Sequence, residues 1–433
     1  GGTSLSEDNK ELNQLRSAER DSDVTEMKYT LPLGFSVDSR DAAGRTPLMN
    51  AALYVNFQAV KNLIKRGADP SLVDNGGWNS LHFAAKGGDT DIIALIHTHL
   101  LKIGSQTGEG YTPLMVAAFS GKLNAVEWFL EKGATVNCVD NTEWNTLHYA
   151  AQGGDTDIIS LIHIHLPNIE SKTDEGCTPL MVAVFYGKLH ALQWFLEKGA
   201  AVTCEDNRGW NTLHYAAQGG DTDIISLIHT HLPKIESRTN GGTRPLMVAA
   251  FCGKLHAVQW FLEKGAAVTC EDNRGWNTLH YAAQGGDTDI ISLIHTHLPK
   301  IESRTNAGST PLMVAALCSK LHAVKWFLEK GATVNCEDNR GWKTLHHASK
   351  GGDTDIISLI HTHLPNIESN TGEGYTPLMV AAFCGKLHAV QWFLERGANP
   401  WAKDNKGKDS FYHASSCDSD VLDLLKSHVA KSE

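Results

Sequence analysis

Apolar residues arrive along this chain in paired short bursts, each pair split by a polar break. One form runs Leu213-His-Tyr-Ala-Ala217, then Gly219-Gly-Asp-Thr-Asp223, then Ile224-Ile-Ser-Leu-Ile228. The other runs Pro245-Leu-Met-Val-Ala-Ala-Phe251, then Gly253-Lys254, then Leu255-His-Ala-Val-Gln-Trp-Phe-Leu262. In that last burst Leu255, Val258 and Leu262 recur at i, i+3 and i+7, with Ala257 and Phe261 beside them, which is the spacing of one helix face. The punctuation agrees. Thr112 and Asn211 suit N-caps, and Pro113 suits the first helical position, where its absent N–H costs nothing. The paired alanines Ala117-Ala118 and Ala216-Ala217 favour helix and let a neighbouring helix approach closely. Lys264-Gly265 supplies a basic last turn and a C′ glycine. In the other form Leu232-Pro233 stops the second helix, because a residue before proline is pushed out of α geometry. The stretch Val268-Thr-Cys-Glu-Asp-Asn-Arg-Gly275 reads as a turn-rich hairpin finger. One such unit cannot bury its own apolar face, so stacking is obligatory and the class is all-α.

The bursts are periodic. The segment Gly209 to Pro233 recurs unchanged at Gly275, 66 residues on, with near-copies at Gly77, Glu143 and Gly341. The two forms align at a 33-residue offset, giving twelve ungapped units that start at Thr46, Asn79, Thr112, Asn145, Thr178, Asn211, Arg244, Asn277, Thr310, Lys343, Thr376 and Asp409. These residues resemble ankyrin repeats, whose pattern is roughly D-x-x-G-x-T-P-L-H-x-A-A-x-x-G, then an apolar helix, then G-A-x-V-N. The third unit's lead-in reads Thr107-Gly-Glu-Gly-Tyr-Thr-Pro-Leu-Met-Val-Ala-Ala118, and the sixth's reads Asp206-Asn-Arg-Gly-Trp-Asn-Thr-Leu-His-Tyr-Ala-Ala217. The resemblance implies an ankyrin-repeat solenoid of helix–turn–helix units with hairpin fingers, right-handed and roughly 110–120 Å along its arc at about 10 Å per layer.

Residues 36–433 are therefore expected to form one repeat domain of twelve units including terminal caps. Residues 1–35 are charged and read as a partial cap or a mobile segment. The last unit, from Asp409, is more polar and reads as a C-terminal cap. Local departures carry costs. Arg244 and Lys343 lack a capping side chain, worth about 1 kcal/mol per helix. Glu143 replaces a turn glycine and Ser319 an inter-helix glycine, so both turns are expected to be strained or adjusted.

Composition sharpens the partner class. The chain has 433 residues, with 38 Lys+Arg against 49 Asp+Glu for a net charge of −11, which argues against a nucleic-acid partner. No apolar run approaches the ~18–20 residues of a membrane span, so no membrane insertion is expected from this chain. Gly1-Gly2 without a methionine reads as a cloning remnant or the start of a piece of a longer protein. The N-terminus has no secretory pattern. Cys138, Cys204, Cys270 and Cys336 recur in fingers and Cys252, Cys318 and Cys384 at first-helix ends, two units apart and beyond disulfide reach. Reduced thiols and a cytoplasmic location are expected.

Histidines form three ladders. His82, His148, His214, His280 and His346 occupy the family's structural histidine, whose ring the resemblance assigns to tying neighbouring finger turns. Met49, Met115, Met181, Met247, Met313 and Met379 stand there in the alternate units. His190, His256, His322 and His388 begin second helices and read as solvated or capping. The H-x-H pairs, such as His229/His231, lie about 200° apart on a helix, so no metal chelate is expected; a pH-dependent stability is a further reading. The Gly219-Gly-Asp-Thr-Asp223 cluster reads as an inter-helix turn with an acidic helix start. P-loop, G-x-S-x-G, H-E-x-x-H and C-x-x-C patterns are not found, so neither enzyme activity nor a cofactor is expected.

Tryptophans split into two classes. Trp128, Trp194, Trp260, Trp326 and Trp392 lie on the second helix's apolar stripe and read as core. Trp78, Trp144, Trp210, Trp276 and Trp342 follow the turn glycine, at a site the resemblance turns toward a concave groove. They are candidate anchors for a protein or peptide, since Trp is enriched in hot spots; alternatively each packs flat over its neighbouring finger. Copies agree at core sites but differ at finger residues such as Tyr111 and Tyr375 and at the helix ends Phe119, Phe185, Tyr186, Phe251 and Phe383. Those positions complete the candidate binding face. The expected function is protein or peptide binding through the groove by a monomer. The alternative is a cytosolic architectural or spring-like array of a larger channel or signalling scaffold.

Overall fold

A computed structural model describes residues 36–415 and 419–430. The expected N-terminal segment 1–35 and Cys417 lie outside the described residues. The chain divides into two compact units, Gly1–Asn207 and Arg208–Glu433, the boundary falling inside a finger. Within each unit consecutive helix pairs stack side by side. The described residues form 24 helices and no β-strand, only isolated bridges such as Val139 to Asn145 at a finger base.

Helix starts follow the expected chemistry. Thr112 Oγ1 accepts the Met115 N–H at 3.3 Å, and Asn211 Oδ1 accepts those of Leu213 and His214 at 3.1 and 3.3 Å. Arg244 and Lys343 make no side-chain cap. Asp221 caps the second helix Thr222–His231 through the N–H groups of Asp223 and Ile224, which accounts for the acidic cluster. The second glycine before it has a steric reason. Gly220 sits at φ 87°, and a Cβ there would meet Lys254 Cδ at 2.6 Å. Leu232 leaves the helix at φ −131°, ψ 82°, as its following proline requires. Glu143 and Ser319 keep the positive φ of the glycines they replace, 61° and 56°. Val55 does the same at 60°, a strain the sequence reading missed.

The second-helix core differs from the expected stripe. Ala257, Val258 and Phe261 are fully buried, while Leu255 and Leu262 are only half-buried. Trp128, Trp194, Trp260 and Trp326 are half-buried too, so the core assignment is corrected for them; Trp392 alone is buried. Phe takes the core position because it needs no polar partner, whereas the indole N–H does. Trp194 finds that partner in Ser160 of the preceding repeat, and its ring meets His163 edge-on at 5.3 Å. The H-x-H pairs diverge accordingly: His163 faces Trp194, while His165 is exposed.

Fingers are tied in series. In the first unit the Asn141 N–H donates to Glu109 O at 2.9 Å, and Asn141 Nδ2 donates to Gly108 O at 3.0 Å. The structural histidines add a second tie, as the resemblance implies: Nε2 of His148 donates to Cys177 O at 3.2 Å. The Asn145 N–H donates to its Nδ1 at 3.2 Å. In alternate repeats the methionine sulfur accepts that cap N–H, Thr178 N to Met181 Sδ at 3.4 Å, but a thioether cannot donate onward. The described cysteines are half-buried and form no disulfide among the described residues, and burial pushes the Cys252 and Cys318 thiols up.

Candidate functional site

The finger that leads into the units starting at Asn79, Asn145, Asn211, Asn277 and Lys343, here called the N-T finger, turns sharply on an aspartate that receives backbone N–H groups two and four residues on, as at Asp74, Asp140, Asp272 and Asp338. Asp140 Oδ1 accepts from Thr142 and Trp144 at 2.8 and 2.9 Å. This aims the tryptophan back over its own first helix. Trp144 lies 5.8 Å from His148 and 5.3 Å from Tyr149. Trp78 meets His82 and Phe83, Trp210 meets His214 and Tyr215, Trp276 meets His280 and Tyr281, and Trp342 meets His346 and His347. Each ring is half-buried, and Trp78 also meets Tyr111 of the next finger edge-on at 6.5 Å.

The helix-end candidates are more open. Phe119, Phe185, Tyr186, Phe251 and Phe383 are 38–55% exposed, so the core does not cover them. Tyr111 and Tyr375 are half-buried. The Tyr111 ring meets Tyr149 edge-on at 5.7 Å, and Tyr375 meets His413 at 5.2 Å.

In the first unit these residues converge. A cavity of about 440 Å³ is walled by Trp78, Tyr111, Phe119, Trp144 and Tyr186 of the candidate set. Phe185 stacks edge-on against Tyr186 at 4.8 Å just outside it. Trp210, Trp276, Trp342, Phe251, Phe383 and Tyr375 belong to the second unit and line no part of this cavity.

The sequence reading missed the polar floor: Asp140, Thr142, Tyr149 and Gln152. The available signal was the Phe or Tyr after four of the five structural histidines, Phe83, Tyr149, Tyr215 and Tyr281. The Tyr149 hydroxyl donates to Asp140 Oδ2. Burial, then this carboxylate, pushes the Tyr149 hydroxyl's pKa well up, so it stays a donor. Burial also raises Tyr111, with Glu109 bonded to its hydroxyl. The structural histidines beneath are held neutral: burial lowers His82 and His148 to about 4 despite their carbonyl partners. The site is thus an aromatic, acid-edged hollow on a stiff hydrogen-bonded base.

A family model described as ankyrin repeats (three copies) matches in nine overlapping stretches running from residue 15 to residue 431. The chain is 25% identical over 434 residues to the human transient receptor potential cation channel subfamily A member 1, covering 87% of this chain and 38% of that protein. It is 25% identical to the Drosophila melanogaster protein of the same name, over 82% of this chain and 29% of the relative. It is 27% identical to the ankyrin repeat and KH domain-containing protein mask-1 of Caenorhabditis elegans, over 88% of this chain and 16% of the relative. The chain therefore spans well under half the length of each.

Proposed function

Since the chain belongs to the ankyrin-repeat family, a family of protein-interaction modules, we propose that it binds a protein or peptide on the concave face built by fingers and first-helix ends. The observation that carries this is the cavity joining Trp78, Tyr111, Phe119, Trp144 and Tyr186. Aromatic anchors in a preformed hollow give much contact area at little entropic cost. Phe119 and Tyr186 are 46% and 43% exposed, so nothing in the fold needs their outer faces. The test is the Phe119→Ala/Tyr186→Ala double variant in a peptide-display selection. The reading expects an unchanged melting temperature and loss of the peptides selected by the parent chain. Full retention of every such peptide would overturn it.

The second reading is architectural. It is favoured by the fraction of the relatives that the chain spans, 38% of the human channel. Here the array would be a cytosolic spacer or spring of a larger channel or scaffold. A full-length transcript encoding membrane spans after Glu433 would favour it; a transcript ending there would remove it.

A further inference from the structure

The partner's chemistry can be read from the chain's own later repeats, an inference that rests on the protein-binding reading and deepens it. The N-T finger places a variable residue between its aspartate and its tryptophan. In the eighth repeat that residue is Arg274. Its guanidinium carbon lies 4.7 Å over the Trp276 ring, and its Nη2 is 3.1 Å from Asp272 Oδ2 and 3.0 Å from the Tyr281 hydroxyl. Arg208 and Arg340 lie over Trp210 and Trp342 at 4.9 and 5.2 Å. A tryptophan face, a buried carboxylate and a tyrosine hydroxyl in this arrangement therefore receive a guanidinium.

The fourth repeat keeps the receiving groups and changes the residue between them. Tyr149 donates to Asp140 Oδ2 as Tyr281 does to Asp272 Oδ2, and its ring lies 5.3 Å from Trp144. At the position of Arg274 stands Thr142, whose hydroxyl turns back onto Asp140 Oδ1 at 2.8 Å. The cavity opens at this place, with Asp140, Thr142, Trp144 and Tyr149 in its wall.

Charge points the same way. The fingertips 74–78, 107–111, 140–144 and 173–177 contain Asp74, Glu109, Asp140, Glu143, Asp174 and Glu175 and no lysine or arginine. Glu143 stands where the other N-T fingers have Gly77, Gly209, Gly275 and Gly341, and it keeps their left-handed backbone at φ 61°. That conformation is costly for any residue with a Cβ. Here it puts an extra carboxylate next to Trp144.

We propose that this cavity takes an arginine side chain of a protein partner, its guanidinium over Trp144 and against Asp140, with the flanking partner residues resting on Phe119 and Tyr186 and Glu143 adding negative charge at the fingertip. Arginine fits better than lysine because a planar fork can stack on the indole and pair with carboxylates at once.

The experiment pans a random displayed dodecapeptide library on the full chain and measures the selected peptides by titration. Three changes are then compared: Thr142→Arg, which fills the place with the chain's own side chain as in the eighth repeat; Phe119→Ala/Tyr186→Ala; and Arg→Gln in the peptide itself, which needs no folded variant. The expected result is one fixed arginine among the selected peptides, and at least tenfold weaker binding after either Thr142→Arg or the peptide's Arg→Gln. Peptides that lose binding in the Phe119/Tyr186 variant, yet carry no fixed arginine or bind the Thr142→Arg chain equally well, overturn the arginine site and leave the binding face standing. Peptides indifferent to the Phe119/Tyr186 variant overturn the binding face, and the arginine site with it.

Discussion

Trp194 reaches across a repeat boundary to donate its indole N–H to Ser160 Oγ at 2.8 Å. The relationship recurs as Trp260 to Ser226, Trp326 to Ser292 and Trp392 to Ser358. A stacked array has only nearest-neighbour interfaces to hold it, so a bond repeated at every second boundary weighs on the whole stack. Ser160→Ala is expected to lower stability by about 1 kcal/mol. The first copy lacks this bond because Ala94 occupies the serine position facing Trp128. Ala94→Ser is expected to raise stability by up to about 1 kcal/mol. Urea unfolding of the two single variants checks the pair, and equal midpoints would contradict it.

Much of this is legible in the sequence. The helix pairs, the caps at Thr112 and Asn211 and the missing caps at Arg244 and Lys343 follow from local chemistry repeated in register, and the histidine tie follows from the family resemblance. Three things did not. Trp260 read as core because hydropathy does not distinguish an indole packed inside from one whose N–H must reach a serine in another repeat. Val55 escaped notice because the first repeat diverges around it. The floor of the cavity escaped because Asp140, Thr142 and Tyr149 gain meaning only when a finger folds back over its own helix. Of the aromatic rim, Tyr111, Phe119 and Tyr186 are visible as variation among copies, and Trp78 and Trp144 through the family resemblance.

The left-handed residues make a graded series. Val55, Glu143 and Ser319 have φ of 60°, 61° and 56°, where a Cβ crowds the carbonyl. Each substitution to glycine is expected to stabilise by about 1 kcal/mol, most for β-branched Val55. Glu143→Gly should gain stability yet lose affinity for a cationic peptide, the exchange expected where strain serves a site. Thermal unfolding together with one binding titration checks both halves.

The two uncapped helices should respond differently. Lys343 has only a loose pairing with Glu337, at 3.6 Å and with the carboxylate half exposed, so Lys343→Asn should gain about 1 kcal/mol from the restored cap. Arg244 holds Glu236 at 2.8 Å with its own side chain mostly covered, so Arg244→Thr exchanges that pair for a cap and should change stability little. Matching gains for both variants, measured by chemical denaturation, would show that the ion pair contributes nothing.

Acid should weaken the stack through histidines buried between fingers. Burial lowers His82, His148, His280 and His346 from an ordinary value of 6.5 to about 4. Between those pH values the unfolded chain binds protons that the folded chain refuses, so stability is full above pH 6.5 and falls as pH drops toward 4. Each histidine contributes on the order of 1–3 kcal/mol to that loss. The alternate repeats suggest the control. Methionine accepts the cap N–H at the same position, as Met181 does from Thr178 at 3.4 Å, and does not titrate. His148→Met gives up the bond to Cys177 O and should be less stable than the parent at pH 7.5. Its stability should also fall less steeply between pH 6.5 and 4. Melting curves across that range decide the matter: parallel slopes for parent and variant would mean that the buried ladder does not set the acid response.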